Sequence, residues 1–248
     1  MIWGFFSVAH IISLILGAGI IFGLYFILKN KSCKAKLCVL AVLSFSGIAA
    51  IIYNLLAWGS PLEYLPLHLC SLNAMVLPIA VMTRSKILNN LLLLWSVGAL
   101  FALVLNVSVA ETEIFSPVFC FYYFPHVLEF GIPILMFVFK LVKKDIKCIL
   151  STVLITAVSY TVIHFINLWI NSYTQQNNIL DSSSNIIKVN YMFSITPENP
   201  LLTFFYNIIP CQYWYMYLSF VIAFVYLGGV YFSDIIRAVK GKCQKAEI

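Results

Sequence analysis

A polytopic helical membrane bundle is the fold this sequence predicts, and three observations carry that reading. Hydrophobic residues make up 62% of the 248-residue chain and charged residues only 10%, where a soluble domain carries about 25% charged. The apolar residues gather into seven runs, most of them near the ~20 residues that cross a ~30 Å hydrocarbon core. The 15 Lys and Arg are concentrated, with one exception, in alternate connections and the tail, the pattern of a chain that retains its basic loops in the cytoplasm.

The runs cover about 5–28, 37–57, 66–82, 87–107, 117–139, 148–170 and 212–232, with one long connection at 171–211. They form a single membrane domain over 1–248. No repeat is convincing, and the matched broken helices of many transporters are absent. The first 28 residues lack a basic start and have too long an apolar run for a cleavable signal, so they read as the first span. Lys29, Lys31, Lys34 and Lys36 follow that span. Arg84 and Lys86 follow the third, and Lys140, Lys143, Lys144 and Lys147 follow the fifth. Arg237, Lys240, Lys242 and Lys245 lie in the tail, and Lys188 is the exception. This places the N-terminus outside and the C-terminus in the cytoplasm of a multi-pass cell-membrane protein. The net charge of +6 therefore reads as a topology signal with contacts to anionic headgroups. Membrane lipids are the expected partners, and nucleic acid is not.

Prolines shape the spans. Pro66 suits the first turn of the third, where its missing N–H costs little. Pro78, Pro125 and Pro133 lie inside spans, where each frees a carbonyl and favours a kink. The long connection has two parts. Gln175 through Asn185 is polar, whereas Val189 through Phe193 and Pro197 through Leu202 mix aromatics, amides and rigid prolines. The second part is expected to pack over the outer mouth of the bundle, partly as a re-entrant piece. Tyr213, Trp214, Tyr215 and Tyr217 resemble an aromatic belt at the membrane surface.

Against this apolar background, polar groups inside spans are informative, because they usually face a cavity and mark function. At 1.5 Å per residue, His68 and Cys70 lie within two turns of the outer surface. His126 lies about 14 Å deep, and Glu129 one turn further. His164 and Asn167 fall near the outer end of the sixth span. Asn54 and Asn106 fall near the outer ends of the second and fourth. All four histidines, His10 included, thus occupy one leaflet, consistent with an outward-facing polar cavity. His126 and Glu129 share a helix face at i,i+3 and suit a carboxylate-oriented imidazole. Cys70 and Asn73 also share a face. His68 and Cys70, at i,i+2, do not, so a base for the thiol comes more naturally from another span, with His126 first and His68 second. A Cys–His pair suits covalent catalysis because the thiolate is the reactive form. Among the seven cysteines no CxxC occurs, and no HExxH supports zinc. Neither metal nor cofactor is expected. Cys33, Cys38, Cys148 and Cys243 fall on the cytoplasmic side as reduced thiols. Cys120 and Cys211, like Cys70, lie toward the outside.

Leu65-Pro66-Leu67-His68-Leu69-Cys70 resembles the signature of the YwaF-type bacterial integral membrane proteins. His126, Asn190-Tyr191-Met192-Phe193 and Pro197 through Leu202 are similar to that family too, over roughly residues 35–235. The likeness extends distantly to a eukaryotic transmembrane acyltransferase family that remodels ether phospholipids through a cysteine in a His-x-Cys setting. It also extends to the androgen-induced multipass hydrolases of fatty-acid esters. The resemblance implies Cys70 as acyl-accepting nucleophile, assisted by His68 or His126. Ser71 stands where the family often carries an acid.

The leading expectation is a lipid acyl-transfer enzyme, either an acyltransferase or an acyl-ester hydrolase. Cys70 attacks a lipid ester, and His126, oriented by Glu129, moves the proton. Asn73, Asn190 or Tyr191 donates to the oxyanion, and His164 and Asn199 complete the substrate site. A transporter or lipid-binding protein using the same cavity is the alternative. A third reading is an assembly subunit whose polar groups only hold the bundle together, at about 0.6 kcal/mol each.

Overall fold

The computed structural model describes residues 1–57, 60–105, 109–181 and 183–246, with side chains through residue 237. Asn106, the last two positions of the expected fourth span, and the side chains of Lys240, Lys242, Cys243 and Lys245 lie outside it. The helices in chain order are α1 (Val8–Leu28), α2 (Cys33–Ser44), α3 (Ser46–Ala57), α4 (Leu69–Thr83), α5 (Lys86–Leu105), α6 (Pro117–Val138), α7 (Cys148–Gln176), α8 (Pro200–Ile208) and α9 (Tyr217–Ala246). Among the described residues there is no strand, only two isolated bridges, Ile2 with Glu113 and Leu180 with Ile186.

Among the described residues, six segments are long and apolar enough to cross a membrane: α1, the 25-residue stretch Cys33–Ala57 made of α2 and α3, α5, α6, α7, and Trp214–Arg237. The helical membrane class is therefore as expected, but the third of the seven expected spans is different. It is the 15-residue helix α4, below spanning length, because its first residues are spent on an extended entry in which His68 is the N-cap. The second span is also divided, at Phe45. There the Ser44 hydroxyl donates to the Ala41 carbonyl at 2.6 Å, a local bond of the kind that competes with the helical ladder.

Local chemistry sets most of the helix starts. Ser7, Ser32 and Ser116 each accept from a first-turn N–H of α1, α2 and α6, as good N-caps do. Pro117 fills the first position of α6, where it has no N–H to leave unpaired. α5 and α6 form the buried centre of the bundle. α5 is enclosed along its first half by Leu91, Leu92, Trp95 and the carboxamides of Asn89 and Asn90. α7 carries a stripe of exposed apolar side chains, Leu154, Val158, Val162, Phe165 and Trp169, as expected of a lipid-facing surface.

The bundle has two distinct ends. At one, Trp3 N–H donates to the Thr112 carbonyl at 2.9 Å, and the Trp3 indole is fully buried and donates to Ser13 Oγ at 2.8 Å. His10, also fully buried, joins α1 to α5 through Nε2 and the Leu103 carbonyl at 2.8 Å. The long loop and the 60–68 segment lie at this same end. The other end holds the basic loops. Lys86 pairs with Asp145 at 2.6 Å, Lys144 with Asp234 at 3.4 Å, and Arg237 with Asp234 at 2.7 Å. Asn90 there accepts from the Asp145 N–H at 3.3 Å and from the Tyr231 hydroxyl, binding α5, the 139–147 loop and α9 together.

One close approach sets the position of α3. A Cβ on Gly47 would meet the Ala74 Cβ at 2.5 Å and Glu129 Oε1 at 2.6 Å. Neither obstacle can retreat easily: the Ala74 backbone lies behind its methyl at 3.2 Å, and Glu129 is buried in α6. Gly47→Ala is therefore expected to cost about 1–3 kcal/mol by overpacking. The expected readout is a lowered midpoint of thermal unfolding in detergent, whereas Gly19→Ala, which meets nothing within 4 Å, leaves it unchanged.

Candidate functional site

Cys70 is the second residue of α4 and keeps part of its surface exposed. The His68 side chain makes no capping bond to the helix start, and the first bond across that start runs from Leu72 N–H to the His68 carbonyl at 3.0 Å. A helix leaves its first N–H groups without intrahelical acceptors, so the thiol sits among donors. The Ser71 hydroxyl and the N–H groups of Cys70 and Ser71 lie within hydrogen-bonding reach of it. Two further groups come within electrostatic range of the thiol, the Glu129 carboxyl and the Tyr122 hydroxyl of α6.

Behind Cys70, one turn along the same face, lies Asn73. It is fully buried, and both its Nδ2 and its Oδ1 lack a hydrogen-bond partner among the described residues. Its carboxamide lies beside the Glu129 carboxyl, whose Oε2 is equally unpartnered. Buried polar groups are nearly always paired, so adjacent orphans on α4 and α6 mark this point within the bundle. Gly47 makes it possible, because only a residue without a side chain leaves Glu129 its place between α3 and α4.

His126 is 8% exposed, and its ring stacks on Tyr122 with centroids 4.3 Å apart. Its Nδ1 lies 2.6 Å from the Tyr122 carbonyl oxygen, an acceptor, which makes Nδ1 the donor and leaves the lone pair on Nε2. The imidazole is thus oriented by backbone one turn back and not by Glu129, although the i,i+3 spacing suited that pairing. No hydrogen bond joins Cys70 to a histidine among the described residues. Tyr122, whose hydroxyl donates to the Ala102 carbonyl at 2.9 Å, comes within electrostatic range of the thiol and stacks on the imidazole.

The remaining expected site residues build the roof. Asn167, fully buried on α7, donates to the Tyr191 carbonyl at 2.8 Å and to Ser194 Oγ at 2.9 Å, and accepts from Tyr191 N–H at 3.0 Å. His164 Nδ1 meets Ser194 Oγ at 3.0 Å. The Tyr191 hydroxyl donates to the Leu62 carbonyl and accepts from Leu65 N–H at 3.2 Å. Burial pushes this phenol up to about 12, so it remains a donor. His68 Nδ1 accepts from Met192 N–H at 3.3 Å, and its ring packs on Tyr191 and Phe193. Asn190 donates to the Thr196 carbonyl at 2.8 Å and to Glu198 at 2.6 Å, and Asn199 caps α8. The amides of Asn190 and Asn199 thus bond within the loop itself. Asn167, which the sequence placed near the outer surface without a role, fastens the Tyr191–Ser194 part of the segment, and Asn171 and Thr174 hold Val189 and Ile187.

Met192 and Phe193 both have positive φ, at 53° and 54°, a conformation that costs a non-glycine residue of order 1–3 kcal/mol. The Asn167 and His68 contacts flank this strained pair. A surface cleft of about 560 Å³ beside α8, lined by Glu198, Asn199, Thr203 and Phe204, does not reach Cys70. Among the described residues, no group of His, Cys, Asp and Glu has the arrangement of a metal site.

The family model described as the TMEM164 family matches residues 5–230. The chain belongs to the TMEM164 family. That match takes in the thiol, the α6 groups and the loop together, so the whole arrangement around Cys70 is family territory. It is a family of membrane proteins, in agreement with the helical bundle. No curated protein and no solved structure matches the chain.

Removing the Asn167 side chain strands the N–H and carbonyl of Tyr191, at about 1–3 kcal/mol for buried groups left unsatisfied. In Asn167→Ala, amide exchange over 189–194 is expected to quicken by about tenfold or more, with α5 and α6 unaffected. Exchange measured by mass spectrometry on the detergent-solubilised chain checks this.

Proposed function

We propose that this chain is a membrane lipid acyl-transfer enzyme, an acyltransferase or acyl-ester hydrolase of the cell membrane, with Cys70 as nucleophile. The observation that carries this reading is the setting of the thiol. Cys70 is partly accessible at a helix start without a side-chain cap, with Asn73 one turn along its face and the Glu129 carboxyl and Tyr122 hydroxyl of α6 within electrostatic range. His126, whose Nδ1 faces the Tyr122 carbonyl and so leaves Nε2 to accept a proton, is the proposed base. The likeness of the His68-Leu69-Cys70 segment to the YwaF-type proteins and to the ether-phospholipid acyltransferases supports the same assignment.

In the proposed reaction His126 Nε2 takes the thiol proton, and Cys70 Sγ attacks the carbonyl carbon of an acyl ester. The C–S bond forms as the carbonyl π pair moves onto oxygen. Collapse of this intermediate breaks the ester C–O bond, and the departing alkoxide takes the proton from His126. A second hydroxyl, from a lysolipid or water, then yields its proton to His126 and attacks the thioester. The new ester or acid forms as the thiolate leaves and is reprotonated. A hydroxyl acceptor on a lipid makes the reaction a transfer, and water makes it a hydrolysis.

Cys70→Ala is expected to abolish turnover while leaving the unfolding midpoint in place. Comparative lipidomics of cells expressing the native and Cys70→Ala chains reads out both the loss and the lipid class concerned. A hydroxylamine-sensitive acyl label on Cys70 is the expected intermediate. Unchanged lipid turnover by Cys70→Ala would sink the assignment and favour a carrier.

A further inference from the structure

We infer that Asn73 is the side-chain donor of an oxyanion pocket at Cys70, completed by the free N–H groups at the start of α4, and that Glu129 is its positioning residue. This rests on the acyl-transfer reading above and adds to it the group that stabilises the charge. Three observations lead to it. Asn73 follows Cys70 by one turn on the same helix face, where Cβ atoms stand about 5–6 Å apart. The oxygen of a tetrahedral intermediate on Sγ therefore falls between the sulfur and the Asn73 amide. Both polar atoms of Asn73 are fully buried and make no hydrogen bond of ordinary length among the described residues, with the Glu129 carboxyl beside them, so Nδ2 retains the capacity to donate to a substrate oxygen. The Ser71 N–H lies beside the thiol and provides a second, backbone donor from the residue after the nucleophile.

The other candidates for this role have their hydrogen-bonding atoms engaged elsewhere. Asn190 bonds within its own loop, and the Tyr191 hydroxyl bridges Leu62 and Leu65. Glu129 lies against Asn73 from α6, wedged at Gly47, where it fixes the rotation of the carboxamide. It pairs with no basic side chain among the described residues, and His126, its expected partner, is turned to the Tyr122 carbonyl. Its part is to hold Asn73, which a neutral group of the same shape also does. No bond is made or broken at either residue. The oxyanion gains two hydrogen bonds as it forms and releases them as it collapses.

The test uses the full chain in detergent with p-nitrophenyl decanoate, whose good leaving group makes acylation of Cys70 the observed step. Removing one oxyanion donor typically costs about 100-fold or more in rate. Asn73→Ala and Asn73→Asp are both expected to lose that much in kcat, with KM within about threefold of native. Asn73→Asp keeps the shape, so it decides the matter if Asn73→Ala does not fold. Glu129→Gln is expected to acylate within about threefold of the native rate. Glu129→Ala is expected to reproduce the Asn73→Ala loss, and the double variant to be no worse than either single one, as for groups acting as a unit. Normal acylation by a folded Asn73→Asp overturns the inference, as does a Glu129→Gln rate as low as that of Glu129→Ala. A p-nitrophenolate burst that persists in Cys70→Ala overturns the acyl-transfer reading instead, so the two failures are distinguishable.

Discussion

The loop between α7 and α8 is seated by two carboxamides one turn apart on α7: Asn171 bonds both backbone groups of Val189, and Asn167 reaches the segment that follows. Asn167 satisfies both backbone groups of Tyr191 and draws Ser194 toward His164. The Tyr191 hydroxyl then reaches across to Leu62 and Leu65, the residues that lead the chain into α4. Position thus passes from helix α7, through Tyr191 and the Met192 contact with His68, to the entry of the helix carrying Cys70. In a bilayer, irregular backbone is tolerated only where protein surrounds it and satisfies its polar groups. These bonds meet that requirement and register the thiol against α6 as well.

Beneath the roof, packing and chemistry are joined at Gly47. A hydrogen in place of a methyl lets α3, α4 and α6 converge, and the space so made holds a carboxyl and a carboxamide. A folded chain rarely retains unpartnered buried groups, because each costs about 1–3 kcal/mol or more. Where they persist, the arrangement is held by its surroundings, as strain at functional sites is. The same holds for Met192 and Phe193, whose left-handed backbone is gripped from both sides.

Much of this was legible in the sequence, and the rest follows from identifiable physics. Hydropathy placed α1, α5, α6 and α7 closely, because long apolar runs leave no other solution for the backbone. Its third run, 66–82, starts ahead of α4, since hydropathy reads Pro66 and Leu67 as membrane-compatible and carries no information on where the first helical hydrogen bond forms. The Cys70–Asn73 relation followed from helical periodicity. The His126–Glu129 pairing did not form, although its spacing allowed it. A carbonyl one turn back was a closer acceptor for the ring, and Glu129 found Gly47 and Asn73 on the other side. That competition depends on which helices surround α6, and a single sequence does not encode neighbours locally. The tasks of Asn190 and Asn199 in shaping their own loop have signatures, an amide before Thr and Glu and an amide before Pro, that are common to many loops.

On the acyl-transfer proposal, the shortness of α4 bears on where a lipid ester and the thiol would meet. Fifteen residues extend about 22 Å, some 8 Å less than a ~30 Å hydrocarbon layer. If the Arg84 end sits at one membrane surface with the basic loops, the Cys70 end would stop inside the apolar layer, with the loop above it. The glycerol ester linkages of a phospholipid lie at the edge of that layer, so a dip of a few ångströms in the bilayer brings them level with the sulfur. Mismatch of this size costs fractions of a kcal/mol per ångström. A lipid would then reach the thiol by local thinning of its own leaflet, without leaving the membrane.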